Sequence, residues 1–175
     1  VHVLDDFCTS MGVICQGYEF KFNPEIKATE KGAESNAEEL PRKIRISNRS
    51  YNSFLYMRKE LLGNLSVFQL WMLYSHKVWR WYSFFFMALA AVSSIVIVAV
   101  DGVMNWVGFV VLCQLAFYFL AAMYLYGFES RIRIVDKISG VAGYFVMVNY
   151  AAAVGVLKAL KGEKISVWKK AESTR

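Results

Sequence analysis

Charge is what the second half of this sequence lacks. Residues 81–100, 102–128 and 138–157 contain no Asp, Glu, Lys or Arg. At about 1.5 Å of rise per residue, the first two runs are long enough to cross the hydrocarbon core of a bilayer as helices, and the third is borderline. Runs without an ionisable side chain also speak against a transporter or channel that couples to ions. Only three cysteines are present (Cys8, Cys15 and Cys113), too irregularly spaced for a disulfide framework or a zinc knuckle, and Cys113 inside an apolar run reads as a packing residue. The two histidines, His2 and His76, are too far apart in sequence to indicate a metal site. No basic leader followed by a short apolar core opens the chain, so no signal peptide is expected. The first residue is Val, within a strand-like run, and sixty residues ahead of the first apolar region are few for an independent enzyme domain. The expectation is the C-terminal part of a longer polypeptide.

What is there is apolar, aromatic and basic. Hydrophobic residues make up 57% and aromatic residues 16% of the 175, and the net charge is +6. Such a composition points to an integral membrane protein with a polar, basic region in front. Arg42, Lys43, Arg45, Arg49, Arg58, Lys59, Lys77 and Arg80 precede the first run, while the link at Asp101 carries no Lys or Arg. The positive-inside rule then places the N-terminal part in the cytoplasm, the Asp101 turn outside, and residues 129–137 with Arg131, Arg133 and Lys137 back inside. The third run conflicts with this scheme, because Lys158, Lys161, Lys164, Lys169, Lys170 and Arg175 follow it and are also expected inside. It is either a full span against the charge rule or a re-entrant or tilted helix; a full span is favoured, because uncharged backbone at membrane depth otherwise needs protein cover. Trp79, Trp81, Tyr82 and Trp106 stand where headgroup-level aromatics are expected. The Gly and Ala residues at 151–155 fit close helix packing.

Residues 61–75 are apolar but too short to span, and read as an amphipathic helix at the interface, with Trp71 and Tyr74 at lipid level and His76, Lys77 and Arg80 toward anionic headgroups. Residues 38–60 have few breakers and read as one or two helices. Further upstream, residues 1–4 read as the end of a strand, Asp5-Asp6 as a carboxylate pair, residues 7–16 as a helix C-capped by Gly17, and residues 18–22 as a half-exposed strand. This order is α/β-like, and ligands in such sheets sit beyond the strand ends, where the pair falls. Adjacent carboxylates serve equally as a helix N-cap with an acidic first turn or as a general base for a hydroxyl nucleophile; Asp5 can cap while Asp6 acts.

The segment VLDDFCTSMGVICQGYEFKFNPEIKATE, the block RKIRISNRS, and the blocks YSHKVWRW and GYFVMVNYAAAVGVLKALKG…VWKK follow one another in an order that resembles the C-terminal portion of an inverting, membrane-bound family-2 glycosyltransferase of the polysaccharide-synthase or exopolysaccharide type. The resemblance covers nearly the whole chain. It implies the end of a cytoplasmic α/β domain of the GT-A type over residues 1–37, basic and amphipathic interfacial helices over 38–80, and transmembrane helices with a basic tail over 81–175. Asp6 matches the Asp of the family's Glu-Asp pair, the base for the acceptor hydroxyl, and Asp5 matches the Glu. Glu30 closes the same block without an assigned role. Arg45 falls on the Arg of the Gln-(Gln/Arg)-x-Arg-Trp motif, a contact to the nucleotide diphosphate. Arg42 and Lys43 replace its glutamine positions, and Ile46 replaces the Trp that stacks on the acceptor sugar. That departure counts against a processive synthase of a long homopolymer.

The implied function is transfer of a sugar from a nucleotide-diphosphate donor, a UDP-sugar, to a lipid-linked or growing polysaccharide acceptor at the cytoplasmic face of the inner membrane. A departing diphosphate gathers negative charge, which Arg42, Lys43, Arg45 and Arg49, or a divalent ion, must stabilise. For the basic residues a solvated, positive-inside face is the competing explanation. Mg2+ or Mn2+ is implied by the resemblance alone, with its ligands expected upstream of this chain. Anionic membrane lipids are expected partners, as is an oligomer or a synthesis complex. Nucleic acid is not, since the basic residues hug the membrane boundary without a reader motif. The competing class is a non-catalytic membrane anchor or assembly subunit of a polysaccharide-synthesis complex, which accounts for the spans and charge bias without Asp5-Asp6.

Overall fold

A computed structural model describes residues 5–21, 23–29, 36–102, 106–128 and 130–165. Among these described residues six helices follow in order: α1 (Asp5–Cys15), α2 (Asn36–Asn64), α3 (Val67–Leu73), α4 (Trp79–Asp101), α5 (Trp106–Leu125) and α6 (Arg133–Leu160), with a π-helical turn, Tyr74–Val78, joining α3 to α4. No strand occurs among the described residues. The expectation of an α/β front is therefore overturned. Residues 18–21 are exposed and have no neighbouring strand among the described residues, so no ladder takes up their backbone groups, and the Tyr18 N–H bonds instead to the Val13 carbonyl. The strand expected at residues 1–4, Phe22, Glu30 and the lysines after Ile165 lie outside the described residues.

The chain divides into two compact units, one of Val1–Trp81 with Ala151–Arg175 and one of Tyr82–Tyr150. In the first unit, α1 starts with Asp5 and Asp6, whose negative charge suits a helix N-terminus. It ends at Gly17, as its glycine foretells: φ there is +87°, and the Gly17 N–H bonds to Ile14 while the Tyr18 N–H reaches back to Val13, the paired bonds of a Schellman ending. Residues 38–60 turn out to be one helix, α2, that runs on to Asn64. Tyr51, Phe54, Met57 and Leu61 recur at about helical spacing and are all buried. Tyr51 and Phe54 meet the Trp81 ring edge-on, with centroids 5.3 and 5.8 Å apart.

The expected single interfacial helix at 61–75 is broken at Leu65–Ser66. Ser66 is the reason: its Oγ accepts from the Gln69 N–H at 3.3 Å, while Gln69 Oε1 accepts from the Ser66 N–H at 2.9 Å. This capping box starts a new helix. From there Val67–Val100 is one helical stretch.

The second unit contains the bulk of the apolar helices. The Ser94 hydroxyl of α4 donates to Gln114 Oε1 of α5 at 2.8 Å, so two of the few polar groups in these runs satisfy each other. Tyr124 of α5 lies over Gly140 and Gly143 of α6; at Gly143 any side chain would take the ring's place, whereas at Gly140 a Cβ would make ordinary contact with it. Phe117 and Phe145 pack edge-on at 6.0 Å. At the start of α6, Asp136 accepts from the Ser130 N–H at 2.7 Å. Three helices, Val67–Val100, Trp106–Leu125 and Arg133–Leu160, are long and apolar enough to cross a membrane. Cys113 is exposed on α5 and is not the packing residue its surroundings indicated.

Candidate functional site

Every site residue singled out in the sequence falls in the first unit. Asp5 and Asp6 open α1, which packs against α2. Asp6 is exposed, and its carboxylate makes no hydrogen bond or ion pair among the described residues. Phe7, the next residue, is buried and anchors the helix start. Of the thiols on α1, Cys15 has its pKa raised by burial and then by the Glu60 carboxylate, which makes it a poor nucleophile at neutral pH.

Arg42, Arg45 and Arg49 stand three and four residues apart, so α2 carries them on one face. Arg42 and Lys43 both lean back on Glu39, at 3.5 and 3.2 Å. Two of the four cations expected to meet a donor diphosphate are therefore engaged within the helix. Arg45 is half-buried, and its pKa is lowered by that burial first and then by Arg49 and Arg42. Like charges crowded and drawn partly from water attract an anion strongly. The structure thus brings the three arginines together, and it makes no contact between Asp6 and this cluster.

Asn48 was not foreseen. It lies between Arg45 and Arg49 in sequence and is fully buried. Its Nδ2 donates to the carbonyl of Gly155, at 3.2 Å, and to that of Glu163, at 3.0 Å. Its Oδ1 accepts from the Ile165 N–H at 3.2 Å and from Asn52 at 3.3 Å. All four hydrogen-bonding capacities of the amide are filled, which is what makes its burial affordable. Gly155 lets α6 come this close: a Cβ there would stand 2.7 Å from the Ile44 carbonyl oxygen and 2.9 Å from the Asn48 nitrogen. The signal in the sequence was the run SNRSYNS, where residues that disfavour a helix interior occupy the middle of a long helix.

Beside α1 lies a cavity of about 610 Å3 walled by Met11, Ile14 and residues 18–20 on one side, and by Leu65, Gln69, Met72, Leu73, His76 and Lys77 on the other. Lys77 is half-buried with its ammonium 4.3 Å from the centre of the Phe7 ring.

No family model, curated protein or solved structure matches the chain. Among the described residues no three His, Cys, Asp or Glu side chains gather to hold a metal ion; the ligands of the divalent ion implied by the resemblance are expected upstream of this chain. The unit carries a carboxylate pair at the start of α1 and a guanidinium face on α2.

Proposed function

We propose that this chain acts at the cytoplasmic face of the inner membrane in the transfer of a sugar from a nucleotide-diphosphate donor to a lipid-linked or growing polysaccharide acceptor. The observation that supports it most is the joining, in one compact unit, of the acidic start of α1, the arginine face of α2 and the stretch that leads into the first membrane helix. In this reading Asp6 takes the proton of the acceptor hydroxyl as it attacks the sugar carbon, and Asp5 supports the start of the helix. Arg45, with Arg42 and Arg49 around it, opposes the charge that gathers on the departing diphosphate. The exposure of Asp6 leaves it open to an acceptor arriving from the membrane surface.

A second reading, a non-catalytic anchor or assembly subunit of a polysaccharide-synthesis complex, draws on two observations. Glu39 already engages Arg42 and Lys43, and Asp6 occupies a first-turn position where a carboxylate serves the helix dipole. Asp6→Asn in the full-length protein separates the two. Loss of a general base lowers sugar transfer by about a hundredfold or more while membrane insertion and donor binding persist. Turnover retained at the wild-type rate leaves only the anchor.

A further inference from the structure

The helix that forms the first candidate span begins before the uncharged run does. Val67–Val100 is continuous, and its opening turns, ahead of Trp79, build one wall of the cavity beside α1. Its volume of about 610 Å3 lies within the range of small-molecule sites, about 300–1,000 Å3. The lining is mainly apolar, with Met11, Ile14 and Phe20 on one side and Met72 and Leu73 on the other.

The polar groups of the wall are not spread evenly over it. Tyr74–Val78 winds as a π-helical turn, an irregularity that recurs at functional sites, and His76 and Lys77 within it both line the cavity. Lys77 is half-buried, holds its ammonium against the Phe7 ring, and forms no ion pair among the described residues. Arg80, three residues on, adds a second, exposed cation. Glu19 is the acidic member of the lining, and it is exposed on the opposite wall. On α3, Phe68 and Trp71 stack with centroids 5.9 Å apart and stand about two-thirds exposed, the aromatic display expected at headgroup level.

An apolar cavity with a cationic rim, on the helix that leads into the membrane, matches an amphiphile with one negative end. We propose that it holds an acyl chain of an anionic membrane phospholipid, whose phosphate rests on Lys77 with Arg80 behind it. Met11, Ile14, Met72 and Leu73 enclose the chain, and its transfer out of water supplies most of the affinity. The site does not depend on sugar transfer, since an anchor and an enzyme both need a fixed depth at the membrane surface.

The test uses the full chain purified in mild detergent, with bound lipid counted by native mass spectrometry. The probes are phosphatidylglycerol and phosphatidylcholine of matched chains. Wild type is expected to keep one phosphatidylglycerol with about fivefold preference, the effect of one cation near a lipid phosphate. Lys77→Gln should keep a lipid but lose the preference. Met72→Trp, from a position that is 43% exposed and so tolerant of size, should fill the cavity and exclude both lipids, and Ile14→Trp should do the same from the opposite wall. Helical circular dichroism reports folding of each variant. Equal retention of both lipids by wild type, unchanged retention in all three variants, or displacement by soluble glycerol 3-phosphate each overturns the proposal. So does a change of oligomeric state in Met72→Trp with lipid retention unaltered, which would mark the cavity as a contact for a second copy.

Discussion

α5 and α6 are both long, apolar helices, yet the protein treats them differently. α5 buries Val107, Gly108 and Ala121 and leaves Phe109, Leu112, Leu115 and Phe119 exposed. α6 buries Ser139, Ala142, Met147, Ala151, Ala152, Ala153, Val156 and Ala159, mostly along one stripe at spacings of three and four. A helix apolar all round with little burial is one that a bilayer solvates. A helix whose buried side is small is one that other helices approach closely. Apolarity alone marks both as candidate spans, whereas the sizes of the side chains tell which surface meets protein. The last turns of α6 belong with α2 in the first unit, and the remainder of α6 belongs to the second.

The comparison can be broken by mutation. Gly155→Leu should have the largest effect, about 3 kcal/mol of lost stability, because the added atoms meet backbone of α2 that cannot step aside. Thermal unfolding in detergent, followed by circular dichroism, measures it; a melting temperature equal to wild type would show that α6 does not need this close approach. Asn48→Leu comes next, at about 2 kcal/mol, since it leaves the Glu163 carbonyl and the Ile165 N–H without their partner. Protease cleavage near residues 163–165 should then appear under conditions where wild type resists. Leu112→Ala in α5, at a side chain 59% exposed, should stay within about 0.5 kcal/mol of wild type. A loss there as large as that of Gly155→Leu would erase the distinction between the two helices.

Much of the helical part was legible beforehand. The three uncharged runs became α4, α5 and α6 because length and lack of charge act locally, and Gly17 ended α1 because a Schellman turn needs a residue free to take positive φ. The small residues at 151–155 pack as their size indicated, with Gly155 against Ile44, Ser47 and Asn48. The half-exposed strand that alternating aromatic and charged residues predict at 18–22 does not form over the described residues 18–21. Alternation supplies a face, but a strand also needs a neighbour to bond with. The break at Ser66 was carried by its spacing to Gln69, and apolarity masked it. At the site, the helix-face spacing of Arg42, Arg45 and Arg49 could be read directly. That Glu39 engages Arg42 and Lys43 depends on rotamers, and that Asn48 is buried depends on a partner more than a hundred residues away.

That separation sets the timing of assembly. Asn48 bonds to groups 107, 115 and 117 residues further along the chain. Loops of that length close late, after local helices have formed. During synthesis the Asn48 amide on α2 therefore keeps water as its partner until α4, α5 and α6 have all been made. Ile165 is the last of these three partners along the chain, so the Asn48 amide reaches its full set of bonds only once residues 155–165 have docked on α2.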